Sequence, residues 1–359
     1  MNFESTVRKN IPNNAVQPRR AQIYVGFQCH QRCGFCYYKS KCSEKMFDLE
    51  FIKRQIDFEY DYGIRDFEIT GGEPSEYKEL RSVCEYIKQK NPNSKIAIIT
   101  NGGLYSSDVW DLIDELLLSY HISKNPQMYD NTMFPCGSTF PKAAKTIEMA
   151  KKKRVLIRTN TVLGRFNIDD FQNIVTDLIE FTPKIVNFLP VNLFDESSGM
   201  VSEIDYVKLR PILKSQIDRL KETLPQSLIF VRYMPFCDMN GYERHIVGHL
   251  QHIYDWFDWN REIDGVAVLD MVKNGRLETL GRYGSKSFET CFSQRESIYE
   301  KKPECLLCKY NIICDGVEKS NGRLLSQVVP QRGVIVKNPL EYIGLDTQNL
   351  YRNIYGKLD

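Results

Sequence analysis

The sequence predicts an α/β protein built on a parallel sheet that is either open or closed into a barrel. Up to residue 195, about six short β-prone segments alternate with segments that carry apolar residues at helical spacing. This alternation is typical of parallel strands connected by helices. The chain has 359 residues, of which 42% are hydrophobic, so it can bury a core in two domains or in one large barrel with an appendage.

The β-prone segments give the bounds of the predicted strands, and the segments with apolar residues at helical spacing give those of the predicted helices. The predicted strands span residues 21–27, 65–70, 95–100, 116–122, 154–162 and 184–190. The predicted helices span residues 48–62, 76–90, 108–115, 142–153 and 168–181. Each strand is followed by a polar or glycine-containing loop, and in a parallel barrel these loops lie together on one face.

The alternation stops after residue 194. A charged helix is predicted over 203–224, a strand over 227–234 and an aromatic helix over 243–259, and Asn274-Gly275 between two β-prone arms predicts a hairpin over 266–280. From residue 320 helical periodicity is weak, so we expect a tail along the surface. The resulting division is an arm (1–20), a barrel core (21–195), a linker (196–264), a cysteine-rich domain (265–325) and a tail (326–359).

Composition excludes several function classes. Lys and Arg total 48 and Asp and Glu total 46, so bulk charge favours neither nucleic acid nor acidic lipid as a partner. The sequence contains no run of about 18 apolar residues, so it predicts no membrane span. The polar N-terminus lacks the apolar stretch of a signal peptide. We therefore expect a cytoplasmic protein, in which 11 cysteines indicate metal binding or catalysis rather than disulfides.

The first cysteine group follows the first predicted strand. Cys29, Cys33 and Cys36 form C-x3-C-x2-C, so three thiolates lie on the loop that begins the active face. Three ligands cannot close a four-ligand structural zinc site, but they can hold a cubic iron–sulfur cluster and leave one iron open for chemistry. His30, inside the motif, is a disfavoured fourth ligand because adjacent residues point in different directions.

A second motif follows the second predicted strand. Gly71-Gly72 permits close backbone approach, and Glu73-Pro74 then forms a rigid turn. An ordinary strand-to-helix turn is the alternative interpretation of the same four residues. The position of the motif, on the loop next to the first cysteine group, favours a binding role.

These two motifs resemble the signatures of the radical S-adenosylmethionine (radical SAM) superfamily, which has C-x3-C-x2-C with an aromatic residue before the third cysteine, here Phe35. The resemblance implies a partial (β/α)6 TIM-like barrel and a [4Fe-4S] cluster whose open iron binds SAM. Reduction would cleave SAM to a 5′-deoxyadenosyl radical that abstracts hydrogen from the substrate. It implies SAM contacts from the following residues: Phe35, Gly71, Gly72, Glu73, Pro74, Ser119 and Asn160. Thr100-Asn101-Gly102 is a weaker match, and Arg158 is a weak candidate for binding the SAM carboxylate.

A second cysteine group lies near the end of the chain. Cys305, Cys308 and Cys314 form C-x2-C-x5-C, and C-x2-C alone is also a zinc half-site. The arrangement resembles the SPASM/twitch extension of radical SAM enzymes, which implies a small C-terminal iron–sulfur domain with one auxiliary [4Fe-4S] cluster. The fourth ligand is expected to be Cys291, with Cys237 as its competitor and an open site that binds substrate as a further alternative.

The remaining candidates favour structural roles. Cys84 lies in a predicted helix and is expected to be buried, and Cys42 and Cys136 are also interpreted as structural. His245, His249 and His252 include an i,i+4 pair that could bind a metal or face a substrate. Without HExxH, a metal role is the weaker interpretation.

The predicted function is a radical SAM enzyme that acts on a small-molecule metabolite, with a reductant such as flavodoxin or ferredoxin as partner. Only about 20 residues precede the first strand, so no leader-binding domain is expected there. Modification of a ribosomally made peptide is the alternative. An iron–sulfur electron carrier or a zinc-stabilised binding module is the non-enzyme alternative, which the Gly-Gly-Glu-Pro motif argues against.

Overall fold

The computed structural model describes most of the barrel and parts of the C-terminal region. The described residues are 19–36, 38–61, 63–126, 134–190, 206–252, 254–258, 299–319, 329–337 and 344–356. The predicted hairpin over 266–280 and Cys291 lie outside them. Among these residues, no helix is both long enough and apolar enough to cross a membrane.

The fold is an α/β partial barrel whose sheet contains eight strands in sequence order, each parallel to the next. The strands are β1 (Arg20–Tyr24), β2 (Asp66–Thr70), β3 (Ile96–Thr100), β4 (Glu115–Ser119), β5 (Leu156–Leu163), β6 (Ile185–Pro190), β7 (Leu228–Arg232) and β8 (Ile246–Val247). Among the described strands, β1 and β8 are the two edges, so the sheet is curled rather than closed. The predicted partial TIM-like barrel is confirmed, with two more strands than the six expected.

Helices cover the sheet. They are α1 (Leu49–Asp61), α2 (Leu80–Lys90), α3 (Phe140–Lys153), α4 (Phe171–Phe181), α5 (Tyr206–Thr223), α6 (His249–His252) and α7 (Gly344–Tyr355). The strands are buried along nearly their whole length, as expected for a parallel sheet with helices outside it. The helices α1 to α5 each bury an apolar face; α2 buries Leu80, Val83, Cys84 and Ile87.

Two predicted helices are wrong. Residues 108–114 form bends and turns that lead into β4, because Val109 and Trp110 are buried individually and the eight residues of the predicted helix hold too few helical turns to stabilise it. In place of the helix predicted over 243–259, residues 243–252 form a single 3-10 turn, β8 and the short α6. Ile246 and Val247 pair with β7 instead of continuing a helix.

The C-terminal region packs on the barrel rather than trailing along it. A short antiparallel pair, β9 (Tyr299–Glu300) and β10 (Val317–Glu318), flanks the second cysteine group. Cys308, Tyr310 and Ile313 belong to the same hydrophobic core as the barrel. The expectation of a surface tail is also wrong for α7, in which Tyr351 is fully buried and donates a hydrogen bond to Asp66 of β2 (2.6 Å).

Candidate active site

The first cysteine group lies on the loop after β1 and faces a cavity of about 320 Å³ at the carboxyl ends of the strands. Cys29, Cys33 and Cys36 all line this cavity. The loop is folded by its own backbone: Cys36 N–H donates to the Cys33 carbonyl, and Cys29 N–H donates to the Cys42 carbonyl, both at 3.1 Å. Local turns thus bring three separated cysteines to one side of the cavity.

Burial governs the protonation of these three thiols. It is the main reason why the pKa of Cys29 and of Cys33 is raised to about 12 and that of Cys36 to about 11, and the neighbouring Cys36 and Cys29 contribute to the value for Cys33. Three thiolates so close together would repel each other and lose hydration. A polycationic centre would compensate both costs, since metal ligands must be deprotonated. This donor set fits a cubic iron–sulfur cluster.

The loop after β2 is attached directly to the cysteine loop. Gly72 N–H donates to the Gly26 carbonyl at 2.8 Å, and Glu73 N–H donates to the Gln28 carbonyl at 2.9 Å. A side chain at residue 72 would place its Cβ 2.0 Å from the Gln28 oxygen, so only glycine permits this approach. The cavity is lined by Gly71, Gly72 and Glu73, whereas Pro74 is buried behind them.

Glu73 connects this loop to the loop after β3. Its carboxylate accepts hydrogen bonds from Thr100 Oγ1 (2.6 Å), Asn101 N–H (2.7 Å) and Ser75 N–H (3.0 Å). Burial raises the pKa of Glu73, and these donors oppose that shift. Three of the strand-end loops are therefore held together by one carboxylate and two backbone hydrogen bonds.

Asn101 provides an independent indication of a ligand. Both polar atoms of its side-chain amide are buried and have no hydrogen-bond partner among the residues that the structure describes, and the side chain lines the cavity. An unsatisfied buried amide costs free energy that a bound polar molecule would recover. The cavity thus fits a polar cofactor such as SAM, whose amino and carboxylate groups can occupy these positions.

The predicted contacts on the later strands separate into two groups. Ser119, at the end of β4, lines the cavity, as does Phe35, whose ring stacks on Phe166 with centroids 5.2 Å apart. Asn160 lies opposite Ser119 in the β4–β5 register but is not among the residues that line the cavity. Arg158 is fully buried below the cavity, where it pairs with Glu68 (2.7 Å) and Glu115 (3.2 Å). The candidate role of Arg158 at the SAM carboxylate is therefore not supported.

Two cavity residues were missed from the sequence. His121 follows β4, and its Nδ1 accepts a hydrogen bond from Val162 N–H at 3.0 Å, while burial lowers its pKa to about 4. The ring is therefore neutral with its proton on Nε2. Tyr233 follows β7 in a left-handed backbone conformation (φ 62°). Both follow the carboxyl end of a strand, and that position is the signal that could have identified them.

The other histidines do not form a metal site. His245 Nδ1 contacts the Ile229 carbonyl at 2.7 Å, His249 pairs with Asp315 at 3.2 Å, and His252 lies 3.5 Å from Asp258. His30 lies on the rim, beside Glu76 and Lys142. Among the described residues, no three His, Cys, Asp or Glu side chains are placed to share a single metal ion.

The second cysteine group surrounds a smaller cavity behind β7. Cys305, Cys308 and Cys314 line it, and so does Cys237, the competitor for the fourth position. The preferred candidate, Cys291, lies outside the described residues. Cys42 and Cys84 are buried, as expected, whereas Cys136 is exposed.

The fold and the cavity define a class: a parallel α/β half-barrel with a three-cysteine cofactor site at the carboxyl ends of its strands. Residues 23–178 match the model of the Radical SAM superfamily. Residues 23–178 are therefore a radical SAM domain, and the family of that domain uses a [4Fe-4S] cluster and SAM.

Several proteins are similar in sequence to parts of the chain. The chain is 22% identical over 230 residues to the antilisterial bacteriocin subtilosin biosynthesis protein AlbA of Bacillus subtilis, covering 61% of this chain and 51% of AlbA. It is 24% identical over 196 residues to the S-adenosylmethionine-dependent nucleotide dehydratase RSAD2 of Oncorhynchus mykiss, covering 49% and 56%. The chain thus spans little more than half the length of these relatives.

Solved structures share the fold. The structure of native anSMEcpe with bound AdoMet superimposes with a TM-score of 0.55 at 17% identity, covering 94% of this chain and 100% of that one. Streptococcus suis SuiB bound to the precursor peptide SuiA also gives a TM-score of 0.55, at 15% identity, covering 92% and 77%. At these identities the likeness establishes the fold alone.

Proposed function

We propose that this chain cleaves SAM reductively and uses the resulting radical to abstract hydrogen from a small-molecule metabolite. The observation that carries the proposal is the convergence of three cysteines, the Gly71–Glu73 loop and the unsatisfied Asn101 amide on one cavity. When bound, the [4Fe-4S] cluster and SAM supply the one-electron chemistry. The cysteines would ligate the cluster, and Asn101, Ser119 and the glycine backbone would orient SAM.

The walls of the cavity suit radical chemistry. Apolar side chains of Phe35, Ile122, Val162 and Leu189 line it and would exclude water and stray hydrogen donors. Asn160 and Pro74 would act indirectly, since Asn160 pairs with the Ser119 strand and Pro74 fixes the turn after Glu73. Neutral His121 offers a directed N–H to whatever occupies the cavity.

Anaerobic reconstitution tests this proposal. With dithionite and SAM, the wild-type protein is expected to release 5′-deoxyadenosine, whereas Cys33→Ala is expected to release none. Cys84→Ala is the matched control, because Cys84 is equally a free cysteine but is buried on the inner face of α2, away from the cavity. Absence of 5′-deoxyadenosine from the reconstituted wild type, or its undiminished release by Cys33→Ala, would overturn the proposal.

A ribosomally made peptide is the second candidate substrate. It is favoured by two of the similar proteins, whose names include bacteriocin biosynthesis and a bound precursor peptide. A metabolite is favoured by the similarity to a nucleotide dehydratase. Stimulation of 5′-deoxyadenosine release by a cell filtrate that survives protease treatment identifies a metabolite, and stimulation that protease abolishes identifies a peptide.

The proposal also includes a partner and a location. One-electron reduction requires a donor of low potential, for which flavodoxin or ferredoxin is the expected class. All ten described cysteines are free thiols, which suits the reducing cytoplasm. The near balance of 48 basic and 46 acidic residues still gives no reason to expect nucleic acid.

A further inference from the structure

The second cysteine group combines residues from two distant parts of the chain. Cys237 follows β7 of the barrel, whereas Cys305, Cys308 and Cys314 lie between β9 and β10. All four line one small cavity, together with Lys301, Asn311 and Gly316. Because the two parts are separated by more than 60 residues of sequence, only the tertiary fold brings them together.

Contacts on both sides fix the position of Cys237. It lies in a 3-10 turn, Phe236–Met239, that follows Pro235. The Phe236 ring stacks on the Tyr310 ring, with centroids 4.8 Å apart and planes 24° from parallel. Asp238, next in sequence, pairs with Arg210 of α5 at 3.1 Å. Asp238 therefore holds the turn against the barrel, and Phe236 holds it against the cysteine-rich segment.

The other three cysteines are placed by a short, tightly bonded segment. Cys308 N–H donates to the Cys305 carbonyl at 3.0 Å, and Cys314 N–H donates to the Tyr310 carbonyl at 2.9 Å. Lys301 Nζ donates to the carbonyls of Asn311 (2.6 Å) and Cys314 (2.5 Å). These bonds fold the segment around the cavity and leave the thiols on its inner side.

Two further contacts join the segment to α6. Gln251 Nε2 donates to the Ile313 carbonyl at 3.1 Å, and His249 N–H donates to Asp315 Oδ2 at 2.8 Å. Gly248 permits this approach, because a Cβ there would lie 2.4 Å from Asp315 Oδ2. The juxtaposition of the four cysteines thus rests on several independent contacts.

The donor set indicates which ligand the site takes. A zinc ion with Zn–S bonds of about 2.3 Å would hold its sulfurs within about 4 Å of one another. No three such side chains in the described part of the chain are placed to share one ion, and four cysteine thiols are also the ligand set of a [4Fe-4S] cluster.

We propose that Cys237, Cys305, Cys308 and Cys314 together ligate a second iron–sulfur cluster, so that the fourth ligand is Cys237 rather than Cys291. The cluster joins the end of β7 to the C-terminal segment. Tyr233, on the same loop as Cys237, lines the SAM cavity, so one loop contacts both sites. Iron binding at this site requires no SAM, so the proposal stands apart from SAM cleavage.

The test uses the full chain with Cys29→Ala, Cys33→Ala and Cys36→Ala, which leaves the second site alone to bind iron. After anaerobic reconstitution we expect about four iron atoms per chain and the EPR spectrum of a reduced [4Fe-4S] cluster. Adding Cys237→Ser is expected to remove the cluster or to change its EPR spectrum and iron content. Adding Cys291→Ser, the matched control, is expected to leave both unchanged.

Iron-free unfolding separates ligand loss from misfolding. The iron-free Cys237→Ser protein is expected to unfold at the same temperature as its parent, whereas reconstitution should raise the unfolding temperature of the parent more than that of Cys237→Ser. An unchanged EPR spectrum and iron content in Cys237→Ser would overturn the proposal, as would their loss in Cys291→Ser. Neither result depends on whether the wild-type protein releases 5′-deoxyadenosine.

Discussion

At the scale of single residues, Glu73 has a structural role that its motif does not reveal. Its carboxylate is buried and accepts three hydrogen bonds, which join the loops after β2 and β3. Carboxylates accept but cannot donate when ionised, so all three donors are satisfied at once. The residue therefore fixes the shape of the cavity wall as well as lining it.

The variant Glu73→Gln tests this role. The new amide NH₂ would face a backbone N–H or a hydroxyl donor, so one buried donor loses its partner. We expect the free energy of unfolding of the iron-free protein to fall by about 1–3 kcal/mol, measured by urea titration. Glu85→Gln is the control, because Glu85 is exposed and pairs only with Arg81 at the surface. Equal stability of the two variants would contradict the role.

The neutral state of His121 predicts a pH dependence. Burial lowers its pKa from 6.5 to about 4, so between these values the unfolded chain binds a proton that the folded protein does not. The His121 contribution therefore destabilises the fold progressively as pH falls from about 6.5 to about 4, and it is absent above pH 6.5.

The variant His121→Gln isolates this contribution from the other titrating groups. We expect the free energy of unfolding of iron-free wild type to drop more steeply than that of His121→Gln as the pH falls from 6.5 to 4. The difference is measured by urea titration at several pH values. Parallel pH profiles for the two proteins would show that the imidazole is not held neutral.

At the scale of elements, the contact between the loops after β1 and β2 depends on the absence of a side chain at residue 72. An added Cβ would meet two backbone carbonyls, those of Gln28 at 2.0 Å and Phe27 at 2.5 Å. Backbone cannot rotate away as a side chain can. The two loops must therefore separate if a side chain is added.

We expect Gly72→Ala to lower the free energy of unfolding by about 1–3 kcal/mol and to reduce the iron bound by Cys29, Cys33 and Cys36 after reconstitution. Gly63→Ala is the control. Gly63 has a positive φ of 99°, but nothing lies within 4 Å of its would-be Cβ, so it carries backbone strain without a clash. If Gly63→Ala lost more iron than Gly72→Ala, the close approach of the loops would not be what positions the cysteines.

The elements that sequence patterns predicted are those with strong periodicity. The six alternating strands were located within a few residues, because each is a continuous buried run. Residues 243–252 were mistaken for part of a helix because the predicted segment, 243–259, is rich in aromatic and histidine side chains. Their actual conformation depends on pairing with β7 and on Gly248 approaching Asp315, and neither contact is local.

The difference between local patterns and non-local contacts also separates the two cysteine sites. C-x3-C-x2-C and Gly-Gly-Glu-Pro are local patterns, so the first site could be predicted from sequence. Cys237 and Cys305 are far apart in sequence, and only the stacking of Phe236 on Tyr310 and the bonds to α6 bring them together. No spacing rule could therefore choose between Cys237 and Cys291.

At the scale of the whole molecule, the two ends of the half-barrel differ in their chemistry. The carboxyl ends of the strands carry the cysteines and the cavity. Beneath the cavity lies a buried network in which Arg20 forms two bonds to Glu115 (2.6 and 2.7 Å) and Arg158 pairs with both Glu68 and Glu115. Although burial opposes it, the two guanidinium groups keep the pKa of Glu115 below its ordinary value.

This network joins four strands and the C-terminal helix. Arg20, Glu68, Glu115 and Arg158 come from β1, β2, β4 and β5, and Tyr355 of α7 donates to Glu115 at 3.1 Å. Arg20 also donates to the Phe257 carbonyl at 2.9 Å. In a closed barrel, pairing between the first and last strands would stabilise the sheet. In this half-barrel, the buried network connects the strands from inside.

Arg158 is central to this support, since it pairs with two buried carboxyl groups. Arg158→Met leaves Glu68 without its partner in a buried setting, and we expect the free energy of unfolding to fall by about 3–5 kcal/mol in urea titration. Adding Glu68→Gln removes the uncompensated charge and should restore part of that loss, which a merely steric defect would not allow. Arg81→Met, which breaks a solvent-exposed pair with Asp111, should change stability little. If the double variant were no more stable than Arg158→Met alone, packing rather than charge pairing would stabilise the interior of the half-barrel.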